Sequence, residues 1–282
     1  MALADSREAP FSDCMQAKDL VDGSESVTLQ TPETVLMLAD CLGHPDPAIR
    51  DAFAYETFVA ILRAGETSPQ TLGLLAEKLV DNIRDADSDD AGFLASFSAL
   101  VLAEVARVDR IEPYMTPGER SALARSGADY LQRIDDYRGF DPADGWRHGV
   151  AHAADLLMQL SLNPLLEARD ARAILAAISS QVVPGNSHSY IFGESRRLAR
   201  PVLYLAMTDL IPAEDWRSWF AALEATQDDP RWQNAYSSLE GLARIHNTEN
   251  FAAAIVVRAV NSDRAPLQLI AEAAGSVLKS LP

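Results

Sequence analysis

Apolar residues recur every three to four positions through most of the chain, which is the spacing of helix faces. Thr31-Pro32, Asp46-Pro47, Ser68-Pro69 and Thr116-Pro117 each place a capping side chain before a proline, the usual way to open a helix. The pattern predicts helices over 32–42, 47–64, 69–83, 93–108, 117–134, 146–160, 170–182, 191–210, 212–225, 233–245, 248–260 and 266–281. No two-residue alternation bounded by hairpin turns is convincing anywhere. The fold class is therefore all-α, with short connections that favour antiparallel neighbours. Helix pairs stacked as a HEAT- or armadillo-like solenoid are the expected architecture, with an α/α toroid as the alternative. No strict sequence period is present, so any array is degenerate. Residues 1–30 read as a partly flexible N-terminal extension and 31–282 as a single helical domain.

Composition adds a sign to this picture. Against 24 Lys and Arg stand 41 Asp and Glu, a net charge of -17. A field of that sign repels phosphate backbones and anionic membrane surfaces, so neither nucleic acid nor membrane is an expected partner. It does not oppose cations. No apolar run is long enough to span a membrane, and the first twenty residues lack a basic and an apolar signal region. A cytoplasmic location is expected on that basis, with Cys14 and Cys41 as free thiols.

Candidate chemistry concentrates in one segment. On a helix over 146–160, at about 100° per residue, His148, His152, Asp155 and Gln159 fall in one narrow stripe. The rest of that helix is apolar almost all round, so the stripe is a polar seam in a buried helix. Two histidines four residues apart with an aspartate one turn on have the spacing of a helical metal site. His148, His152 and Asp155 are therefore candidate ligands for a divalent metal such as zinc, which there would activate water for hydrolysis. The other reading is a hydrogen-bonded structural seam with neutral histidines.

Neighbouring residues extend the constellation. Arg138 and Trp146 are candidates to hold an anionic and an apolar part of a ligand, with Gln159 further along the seam. Glu194 and Arg197 share a helix face by their spacing of three, making Arg197 a ligand-binding candidate. Glu194, with Asp155, is the candidate catalytic carboxylate. His188 lies in a loop and is expected to be exposed. His246-Asn247 reads as a cap between two helices. Arg50 and Asp51 read as a ladder between repeats.

The string Asp136-Tyr137-Arg138-Gly139-Phe140 followed by Gly145-Trp146-x-His148-x-x-x-His152-x-x-Asp155 resembles the signature of a bacterial family, domain of unknown function (DUF) family 2785. Gly43 to Asp51, Ser96-Phe97-Ser98-Ala99-Leu100, Glu194-x-x-Arg197-Leu198-Ala199 and His246-Asn247 with Phe251 resemble further elements of it, over roughly residues 35 to 260. Two positions depart: Ala95 stands where that family usually has Arg, and Arg147 where it often has Ala. The resemblance implies an all-helical domain and carries no agreed activity.

Two functions of different class follow from these residues. One is an enzyme or small-molecule receptor, its ligand or metal pocket on a concave face around the His148 segment. The other is a protein-interaction scaffold with a structural seam. Much of the acid lies in the loops 85–90 and 135–144, and the second runs into the His148 segment. The sequence thus predicts a mouth that attracts cations beside the seam.

Overall fold

The computed structural model describes residues 12–22 and 32–282. The remainder of the expected 1–30 extension lies outside the described residues. Of that extension, Ser12–Asp22 forms α1, which packs on α2 (Pro32–Asp40). Cys14 and Cys41 are joined in a disulfide, so the expectation of two free thiols is overturned. A disulfide persists in oxidising surroundings, so the cysteines no longer argue for a reducing compartment. Among the described residues no helix is long and apolar enough to cross a membrane.

Helix starts follow the capping chemistry read from sequence. Asp46 accepts a hydrogen bond from the Ala48 amide and opens α3 (Pro47–Ile49). A π-helical turn, Arg50–Tyr55, joins it to α4 (Glu56–Ala64). Ser68 caps α5 (Pro69–Arg84) through the Thr71 amide. Thr116 and Glu119 form a reciprocal capping box at the start of α7 (Pro117–Arg133), each satisfying an amide that the first turn leaves unpaired. The others are α6 (Leu94–Ile111), α8 (Gly149–Ser161), α9 (Ala168–Val182), α10 (Glu194–Leu205), α11 (Ala213–Ala221), α12 (Leu239–Ala259) and α13 (Ala265–Ser280).

The helices pack as antiparallel pairs. In space α6, α8, α10 and α12 follow one another in series, and α5, α7 and α9 form a second series against them. The core lies between the two rows. α8 is buried nearly all round, as its composition required, because it has α6, α7, α9 and α10 as neighbours.

Three local expectations fail. A two-stranded hairpin is present, β1 (Phe140–Asp141) against β2 (Gly145–Trp146). The helix expected over 146–160 starts only at Gly149, because the hairpin consumes Trp146 and turns the chain at His148. The break expected at His246-Asn247 does not exist. Both sit inside α12, where buried Asn247 accepts from the Tyr190 amide and donates to the His188 carbonyl, pinning the 188–190 segment.

Candidate functional site

The segment ahead of α8 is built by its own turn residues. Asp141 accepts hydrogen bonds from the Ala143 and Asp144 amides, closing the hairpin. Gly145 follows with φ 80°, a left-handed conformation that glycine adopts without strain. The ladder continues as the Arg147 amide donates to the Gly139 carbonyl and the His148 amide to the Arg138 carbonyl. Gly139 has to lack a side chain, since a Cβ there would lie 2.0 Å from the Phe192 ring. His148 then takes φ 59° and ψ 36°, left-handed for a residue with a full side chain, and serves as N-cap of α8. Fully buried Arg50 holds the hairpin from the other side by donating to the Asp144 carbonyl. It also pairs with its sequence neighbour Asp51 at 2.7 Å, a contact within one turn and not one between repeats.

The predicted seam comes apart into separately satisfied groups. His152 lies with Nδ1 2.9 Å from the Ser96 hydroxyl and 3.2 Å from the Ser96 carbonyl. The Ser96 hydroxyl donates to the Arg147 carbonyl, so its proton is committed and the ring donates toward Ser96. Burial, helped by the charges of His148 and Arg197, pulls His152 down to about 3. A ring so averse to a proton does not activate Ser96 as a nucleophile. Asp155 is held by Arg197 and Arg200 from α10. Burial raises its pKa, while the two guanidinium groups favour the carboxylate. Gln159 accepts from Arg110 at 3.2 Å. The predicted metal set of His148, His152 and Asp155 is thus not assembled. His148 is off the helix and Asp155 faces two cations. Among the described residues no group of three or more His, Cys, Asp or Glu side chains is placed to hold a metal ion. Arg197, which shares a helix face with Glu194 by its spacing and was the ligand-binding candidate there, is turned to Asp155.

Two of the predicted residues do meet. Glu194, the first residue of α10, brings Oε1 to 3.8 Å from His148 Nε2. Its Oε2 accepts from the Phe192 amide at 2.9 Å. Burial raises the Glu194 carboxyl above its ordinary value. Burial, with Arg197, pulls His148 down to about 4. Trp146 stacks on the His148 ring at 4.8 Å and keeps one edge exposed beside Phe140.

An opening lies beside this pair, at the loop edge of the helix rows. It is a cleft of about 690 Å³ between the 86–92 loop, the first turn of α6, the end of α7 with residues 135–138, and the start of α8. The two acidic loops come together here. Asp87, Asp89 and Asp90 line one side, and Asp135 and Asp136 the other. Arg133, Arg138 and Arg147 also line it, and each is engaged. Arg138 grips Asp136 and the Asp90 carbonyl. Arg147 donates to the Ala91 carbonyl and Asp144. Arg133 reaches the Ile83 carbonyl and stands 3.9 Å from Asp87. Asp89 caps α6 by accepting from the Gly92 and Ala95 amides. Ala95 and Arg147, the two departures from the family pattern, both face this opening.

Sequence reasoning missed the rest of the cleft. His188 is half-buried rather than exposed, and stacks on Tyr137 at 5.0 Å and 19°. Its alignment depends on Asn247, 59 residues away in sequence, so no local signal existed. Among the predicted site residues only Arg138 lines the cleft itself.

Comparison with known proteins adds a family and no activity. The family model described as "Protein of unknown function (DUF2785)" matches residues 79–257. That match takes in the hairpin, α8, the acidic loops and Glu194, but not the 35–78 segment that resembled the family by sequence. No curated protein and no solved structure matches the chain.

Proposed function

Because this chain belongs to the DUF2785 family, whose description names no activity, we propose its function from its own residues: it binds a small, positively charged molecule in the acidic cleft at the starts of α6 and α8. One observation carries this reading. An opening of about 690 Å³, within the size range of small-molecule sites, is lined by five aspartates against three arginines that are already engaged. The Asp90 and Asp135 carboxylates make no ion pair among the described residues, so their charge is available to a ligand. The Tyr137–His188 stack offers a flat wall, a surface over which organic cations are held well. The net charge of -17 supplies a long-range field of the same sign.

The two series of helices support a HEAT-like, irregular solenoid, with the cleft on its loop edge. His148 and Glu194 stand behind the cleft wall as a second layer of the site. A scaffold reading keeps one observation, the exposed Leu239, Leu242 and Val257 of α12. It predicts no saturable binding of small amines.

Calorimetric titration separates the two. Agmatine, which carries a guanidinium and an ammonium, is expected to bind, and glutarate is not. Asp90→Asn with Asp135→Asn should weaken agmatine at least about tenfold, since two unpaired carboxylates beside a cation each contribute on the order of 1 kcal/mol. Equal binding of the dianion, or no effect of the double variant, refutes the proposal.

A further inference from the structure

Many arginines of this acid-rich chain have a carboxylate of their own, as Arg84 has Asp81, Arg120 has Asp109 and Arg231 has Asp229. Four arginines across α6, α8 and α10 do not. Arg107 on α6 is half-buried, yet makes no ion pair and no hydrogen bond among the described residues. Arg110, one turn on, reaches only the neutral Gln159 amide, and through Nε alone. Across α8, Arg197 and Arg200 share the single carboxylate of Asp155. Glu104, three residues before Arg107, is already taken by a bidentate pair with Arg63. The result is an excess of guanidinium with open N–H groups in a chain of net charge -17.

Helix direction brings these four side chains into one band. Ser96 meets His152 and Arg110 meets Gln159, so α6 and α8 run the same way. His148 approaches Glu194 and Asp155 meets Arg200, so α10 runs with them. At about 100° per residue, Arg107 and Arg110 fall within about 40° of Ser96, the residue of α6 turned to α8. Asp155 fixes Arg197 and Arg200 on the facing side of α10. Asp155 and Gln159 are one turn apart on α8, about 6 Å along its axis. Packed helices stand about 8–10 Å apart, so the band crosses three helices over about 16–20 Å. It lies on the later turns of α6 and α8, whereas the acidic cleft lies at their starts.

We propose that this band is a docking surface for a short acidic segment of a partner protein, laid extended across α6, α8 and α10. Charge complementarity selects the partner's sign. Arginine forks take carboxylates two bonds at a time, and those of Arg107 and Arg110 have no carboxylate to give up first. The Gln159 side chain accepts from Arg110, which leaves its amide N–H groups to donate to a backbone carbonyl of the segment. Length selects its size. At about 3.3 Å per residue, five or six extended residues cover the band. The net charge opposes any anion at long range, but at physiological salt the Debye length is about 8 Å, so the local guanidinium groups prevail. A nucleic acid would carry its charge past the band over an acidic chain, which favours a peptide.

Fluorescein-labelled hexaglutamate is the probe, titrated with the full chain in about 0.05 M sodium chloride and followed by anisotropy. Labelled hexathymidylate is the comparison. Hexaglutamate is expected to bind saturably and more tightly than hexathymidylate. Arg107→Gln/Arg110→Gln should weaken it at least about fivefold. Arg125→Gln/Arg264→Gln, on α7 and ahead of α13, changes net charge equally and should weaken it less than about twofold. Neither Arg107 nor Arg110 pairs with a carboxylate, so the melting curve of the first variant should match wild type. If that variant fails to fold, Arg200→Gln is read in its place, with a weakening of at least about threefold expected. Absence of hexaglutamate binding overturns the proposal. So does equal weakening by the two double variants, which would make the effect one of net charge. Hexathymidylate bound as tightly as the peptide overturns the assignment to an acidic protein segment.

Discussion

Asp155 on α8 and Arg197 on α10 form an ion pair across the two central helices, with Arg200 as a second cation on the same carboxylate. This contact decides the character of the seam. It satisfies a buried carboxylate structurally and turns it away from the imidazoles. Removing one partner of a fully buried pair costs about 3–5 kcal/mol, and of an exposed pair about 0–1. The Arg197 side chain is 36% exposed, so Arg197→Met is expected to lose about 2 kcal/mol in urea unfolding at pH 7. Added zinc should not restore it. No loss, or recovery with zinc, would place Asp155 back among metal ligands.

Acid should destabilise this protein well above the carboxylate range. His148 and His152 are pulled to about 4 and about 3 in the folded chain, from 6.5. The unfolded chain therefore binds more protons between those values and 6.5. Their contribution is complete above pH 6.5 and is lost as pH falls toward the folded values. From pH 7 to pH 5 each histidine loses about 1.5 pKa units of advantage, about 2 kcal/mol, or about 4 kcal/mol together. Glu194 and Asp155, whose pKa values are raised by burial, act in the opposite sense as pH falls through their folded values. A difference between variants isolates the ring. His148→Asn should lose about 2 kcal/mol less than wild type between pH 7 and pH 5 in urea unfolding. Parallel pH profiles would contradict the assignment.

The Cys14–Cys41 bond closes a separation of 27 residues and ties α1 to the end of α2. On the loop-closure scale such a link stabilises by about 3.5 kcal/mol. Thiol titration in denaturant should find no free thiol before reduction and two after it. Reduction should also lower the melting temperature. Two free thiols in the protein purified without reductant would contradict the pairing.

Much of the helical layout was legible from local chemistry. Asp46-Pro47, Ser68-Pro69 and Thr116-Pro117 open helices with the cap bonds their residue types call for. Buried α8 was legible because an almost wholly apolar helix needs neighbours on every side. The His148 stripe was misread for a definite reason. A helical wheel assumes regular backbone, and His148 is left-handed at the helix boundary. Gly145 and Gly149 on either side, and Asp141 ahead of them, were the available signs of a turn. The acidic mouth was visible as two loops, and their meeting at one cleft is a tertiary fact. Helix α12 was split in two because His246-Asn247 looks like a cap. Buried Asn247 is tolerated mid-helix because its amide is consumed by the 188–190 segment.

The account stands on the cleft being a cation site, and the salt dependence of agmatine binding tests that most directly. Exposed carboxylates are screened as the Debye length falls from about 10 Å at 0.1 M to about 3 Å at 1 M salt. Agmatine should therefore bind at least about tenfold more weakly in 1 M than in 0.1 M sodium chloride, with the difference largely abolished in Asp90→Asn/Asp135→Asn. Affinity that does not change with salt, or that changes equally in wild type and the double variant, would contradict the central claim.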